Sequence, residues 1–121
     1  MAGAQGYATY RNLNLGATGA LVAVGPRVIG GWWIYNNAAA ARYVKLYNKA
    51  VAPTVGTDVP LITLGVPASS AANLMIPNSG GGQQGIGGFD SGIGIGATTG
   101  VADADTGAPS ANDIVLNLWY L

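Results

Sequence analysis

The sequence predicts an all-β chain, a jelly-roll-like antiparallel β-sandwich of about eight short strands. Three observations carry that reading. Glycine and proline punctuate the whole chain (20 and 6 of 121 residues), and no window sustains an amphipathic helix of twelve or more residues. Between the turn residues lie short runs rich in Val, Ile, Leu, Tyr and Trp, at the spacing of a sandwich or barrel. The length suits one domain, spanning 1–121, that can bury a core without staples.

Taken in order, the expected strands are 7–15, 20–24, 27–36, 42–49, 59–66, 72–76, 89–97 and 113–121. The third, within "GPRVIGGWWIYNN", should bend or bulge at Gly30-Gly31. Its adjacent Trp32 and Trp33 must point to opposite faces, one into the core and one toward a surface that a partner could cover. The "NNAAAAR" that follows reads as a loop, because four alanines between strong strands cannot nucleate a helix unaided.

In "RYVKLYNK" the apolar Val44 and Leu46 alternate with Tyr43, Lys45, Tyr47 and Lys49, giving one apolar and one amphipathic face. The connector after it is stiffened by Pro53 and Pro60, with Gly56 and Asp58 supplying turn geometry. It should present a fixed contact surface that loses little entropy when a neighbour docks. "PNSGGGQQGIGG" (77–88) reads as a long loop or arm, since seven of its residues are glycine or serine. Beyond it, Phe89, Ser91, Ile93 and Ile95 alternate with Asp90, Gly92, Gly94 and Gly96, so one face is nearly bare backbone and open to close approach. In the last strand both faces are largely apolar, which predicts cover on both sides.

Composition removes whole classes of function. There is no Cys and no His, and no Glu, so disulfides, the usual nucleophile–base pairs and most zinc sites are absent. No catalytic residue, cofactor site or metal site is assigned, and the chain is not expected to be an enzyme. "GIGIGATTG" lacks the lysine and the helix of a phosphate-binding loop and reads as a glycine-faced strand. "DADTG" and "SAND" (103–113) offer alternating oxygen ligands, but the closing Glu of a calcium loop is missing and ordinary turns use the same residues.

Ten charges, five of each sign, do not supply the excess of cations that nucleic acid needs. No apolar run reaches the length of a membrane span, and the N-terminus lacks the pattern of a signal peptide. The five cations precede residue 50 and the five Asp follow it, so the halves pair within the fold or between subunits. The Tyr43/Lys45/Tyr47/Lys49 face is open to several readings: a protein interface, a sugar platform, or a plain amphipathic sheet face. With Trp33, Trp119 and the arm residues Gly80, Gly81, Gly82, Gln83 and Gln84, these four form the candidate interface set.

Two segments, "ARYVKLYNKAVAPTVGTDVPLITLGVPA" (41–68) and "FDSGIGIGATTGVADADTGAPSANDIVLNLWYL" (89–121), resemble small tailed-bacteriophage virion proteins. The likeness lies in the order of elements: "VKLYNKA" leading through "APTVGTD" to a second strand, then a glycine-isoleucine strand, "TTGVADADT", and a last strand ending in aromatics. It covers about half of the chain; residues 1–40 fall outside it. The resemblance implies a head decoration or cement protein, made in the bacterial host cytoplasm and resident in the virion. It implies binding to the phage major capsid protein and self-assembly, commonly as trimers. A tail, fibre or neck location, or a carbohydrate-binding β-sandwich, are the alternatives.

Overall fold

A computed structural model describes residues 6–77 and 85–121. Nine strands run β1 (Ala8–Leu15), β2 (Ala20–Val24), β3 (Arg27–Asn36), β4 (Arg42–Asn48), β5 (Ile62–Val66), β6 (Ser70–Met75), β7 (Ile86–Phe89), β8 (Gly92–Thr98) and β9 (Ile114–Tyr120). They form two antiparallel sheets, and no helix occurs among the described residues.

Sheet A has the order β1-β9-β3-β6, with β7 also pairing with β3. Sheet B has the order β2-β8-β4-β5. β6 meets the C-terminal part of β3 (Gly31 to Asn36) and β7 its N-terminal part (Arg27 and Ile29). Both therefore lie along one edge and act as one interrupted strand. Counted so, eight strands form two four-stranded sheets, the chain crossing between them at every connection except β4 to β5, and this winding is the jelly roll.

The core follows from period-two alternation. β3 and β9 turn Ile29, Trp32, Ile34, Ile114, Leu116 and Leu118 inward, and β4 and β8 answer with Val44, Leu46, Ile93, Ile95 and Ala97. Each is at least nine-tenths buried, and full burial of such side chains is worth roughly 1.5–3 kcal/mol apiece.

Polar stitching holds the layers in register. Arg42, opening β4, meets Asp113, just before β9, at 3.1 Å and mostly out of solvent. Lys49 meets Asp58 at 3.3 Å. In both pairs a cation from before residue 50 takes an anion from after it, which is the intramolecular form of the charge segregation.

Several expectations hold. The Gly30-Gly31 bend is a register break in the β3–β9 pairing. "NNAAAAR" is a loop, and Trp32 is the buried tryptophan while Trp33 faces out.

Others are corrected. The expected strand 89–97 is two: Phe89 ends β7 in sheet A, the chain crosses between layers at Asp90-Ser91, and β8 begins in sheet B. Residues 86–88, expected within a loop, belong to β7 because the edge of β3 left open beyond β6 accepts them. The strand expected at 59–66 begins only at Ile62, after Pro60. The last strand is covered on its core side alone: Val115, Asn117 and Trp119 on the other face are only half-buried.

Candidate functional site

The two outer faces of the sandwich differ. On sheet B, Gly94 and Gly96 present bare backbone, and the connector after β4 lies directly on it. A Cβ at Gly94 would stand 2.8 Å from Pro53 Cδ, and one at Gly96 would stand 2.7 Å from Val55 Cγ2. The close approach that the glycines permit is thus made by the chain itself.

A second connector, 99–107, closes over the neighbouring strip. Its Asp105 carboxylate accepts the Gly107 amide at 2.8 Å, and the Thr99 amide donates to Gly107 O at 2.9 Å. "DADTG" is therefore turn chemistry here, with Asp105 occupied by backbone amides. Among the described residues no three His, Cys, Asp or Glu side chains gather.

These two connectors overturn the amphipathic-face expectation. Lys45 and Tyr47 are wholly buried (0% exposed each). Lys45 Nζ donates to Ala102 O at 2.6 Å, pinning the second connector from below. The Tyr47 hydroxyl lies in the interior with no hydrogen-bond partner among the described residues, and burial, reinforced by Asp58 and Asp103, raises its pKa. Tyr43 is half-buried against Gly65, and Lys49 is engaged by Asp58. The connector 49–61 lies back on its own sheet, with Pro53 and Val55 buried beneath it and Val51, Val59 and Leu61 exposed on its outer side. Gly80, Gly81, Gly82, Gln83 and Gln84 lie outside the described residues.

Sheet A has no such cover. Register aligns its outer face in rows across the strands: Thr9, Trp119, Gly31 and Met75; then Arg11, Asn117, Trp33 and Asn73; then Val115, Tyr35 and Ala71. Opposed residues in an antiparallel pair project to the same side. Arg11 is the one charge in these rows. Trp33 is 38% exposed and stacks with Tyr35, their ring centroids 6.3 Å apart and their planes 18° from parallel.

A depression of about 280 Å³ opens along β3 and β6, lined by Trp32, Trp33, Asn73, Leu74, Met75 and Trp119. Asn73 is the one amide in this lining. Met75, on the outer face, is 58% exposed, and Leu74, which projects to the other side of β6 opposite Trp32, is partly exposed at the sheet edge.

No family model, curated protein or solved structure matches the chain.

The geometry of the site brings together two of the sequence-derived candidates, Trp33 and Trp119, and leaves the tyrosines and lysines on the opposite side of the sandwich. Sequence reasoning missed Tyr35, Asn73, Leu74, Met75, Asn117 and Arg11. The alternation of the last strand already placed Asn117 beside Trp119. That β9 and β6 flank β3 has no local signal, because neither neighbours it in the chain.

Proposed function

We propose that the chain is an adhesive structural module, a phage head decoration or cement protein that docks on the major capsid protein through the outer face of sheet A. The observation that carries this reading is the asymmetry of the two faces. One sheet has its own connectors laid over β4 and β8; the other displays Trp33, Trp119, Tyr35 and Met75 beside an open apolar depression. Trp, Tyr and Met are the residues enriched at protein interfaces, where they supply large contact area at low entropic cost. The jelly-roll winding agrees with the reading but is shared by capsid and lectin domains, so it does not decide it. The resemblance of 41–68 and 89–121 to small virion proteins points the same way.

The mechanism is contact, not chemistry. The depression takes an apolar side chain from the shell, and the flanking amides of Asn73 and Asn117 supply hydrogen bonds at its rim. Repetition over a symmetric shell multiplies a modest interface into tight retention. Co-sedimentation with expanded empty heads tests this directly: bound protein should saturate at a fixed ratio to capsid subunits. Imaging the labelled protein on intact particles distinguishes a head position from a tail, fibre or neck position.

A second reading is favoured by one feature, the stacked Trp33–Tyr35 pair flanked by Asn73 and Asn117, which suits the face of a sugar ring. The depression itself favours protein, since five of its six lining residues are apolar and a sugar pocket needs more convergent polar groups. Saturable binding on a glycan array, with no binding to heads, would reverse that preference.

A further inference from the structure

We propose that the free edge of β6 pairs with β6 of a second copy, antiparallel across a two-fold axis at Asn73, so that two sandwiches share one continuous sheet. This goes beyond the docking reading and does not rest on it. It also replaces the trimer that the resemblance implies with an isologous pair.

The backbone groups along one side of β6 point away from the sheet. The Asn37 amide donates to Asp113 O at 2.7 Å, so the odd residues of β3 face β9. The Ile76 amide donates to Gly30 O at 2.8 Å, so its even residues face β6. With Gly31 opposite Met75 and Asn36 opposite Ser70, the even residues of β6 are spent on β3. The N–H and C=O groups of Ala71, Asn73 and Met75 therefore point out from the sheet edge.

Among the sheet edges β6 is also the least guarded. β1 carries Arg11 and a register break between Asn12 and Leu15. β2 has five residues and a break between Leu21 and Ala23, and β5 has five residues between Pro60 and Pro67. β6, "SAANLM", pairs without a break over six residues and holds no charge and no proline. Such an edge is a template for another strand.

The strand is, moreover, complementary to itself. With Asn73 on the axis, Ala71 faces Met75 of the second copy on the outer side, and Ala72 faces its Leu74 on the inner side. Large side chains meet small ones on both faces, and the outward-pointing residues oppose one another, giving about six inter-chain hydrogen bonds. A slip of one residue would set outward-pointing groups against inward-pointing ones. A slip of two would put Ala72 against Ala72, leaving a gap, or Leu74 against Leu74, making a clash. Pairing covers the exposed Leu74 and Met75 and joins the two Arg11–Asn117–Trp33–Asn73 rows into one.

Analytical ultracentrifugation of the full chain should show a species of twice the 12.1 kDa monomer mass. Asn73→Pro removes only an outward N–H, which an edge strand tolerates, and should give a folded monomer. Ala71→Lys, at an exposed position, should weaken the pair at least tenfold and serves if the proline variant does not fold. The chain has no cysteine, so Asn73→Cys should form an inter-chain disulfide on oxidation while Ala71→Cys, far from its own copy, should not. A monomer or trimer at every concentration, a dimer indifferent to both β6 variants, or equal cross-linking by the two cysteine variants would overturn the proposal.

Discussion

Asn36 shows how much one buried amide holds in this fold. Its Nδ2 donates to Ala40 O at 2.9 Å, Val66 O at 3.0 Å and Pro67 O at 3.2 Å, and its Oδ1 accepts the Ala38 amide at 2.9 Å. The end of β3, the loop after it and the end of β5 are thereby tied at one point, joining the two sheets. Asn36→Ala strands carbonyls and an amide in the interior and should cost about 2–4 kcal/mol in urea unfolding. Tyr47→Phe should behave in the opposite way. It removes a buried hydroxyl that has no partner among the described residues, so stability should stay level or rise by up to about 1 kcal/mol.

At the scale of elements, the connector 49–61 is the instructive case. Its prolines and its Gly56-Asp58 turn were readable in the sequence, and Gly56 indeed has φ +91°. What the connector covers was not readable, because that depends on β8 lying beside β4, a non-local pairing. The same reason explains the Tyr43–Lys49 strip. Alternation assigned its faces correctly, but alternation cannot say whether an outer face meets solvent or a returning loop. That Trp32 and Trp33 take opposite faces was legible, but which of them is buried was not; that Trp33 and Trp119 line one depression needed the sheet order.

The connector also carries the clearest pH dependence. Asp58 accepts the Thr54 amide at 2.8 Å and pairs with Lys49. The Thr54 hydrogen bond foremost, then Lys49, holds its pKa below the ordinary carboxylate value. A depressed folded pKa contributes stability that is present above the unfolded value, near 4, and fades as pH falls through the folded one. Asp58→Asn should therefore lower the thermal midpoint at pH 7, and the gap to the parent should close below about pH 4. A gap constant from pH 7 to pH 2 would contradict this account of the turn.

For the whole molecule, the distribution of cover matters more than any one contact. A chain with ten charged residues cannot dress its surface with charge as monomers usually do. It lays its connectors over β4 and β8 of sheet B and leaves the outer face of sheet A open. The surface variants Trp33→Ala and Trp119→Ala test that division. Neither side chain belongs to the core cluster, so each should leave the fold intact. Co-sedimentation of the parent, the double variant and a sheet B control, Lys49→Ala, with expanded empty heads is the most direct measurement. The account predicts saturable binding by the parent and the control and a loss of at least tenfold in affinity for the double variant. Binding that survives loss of both tryptophans, or that fails for the intact parent, would contradict it.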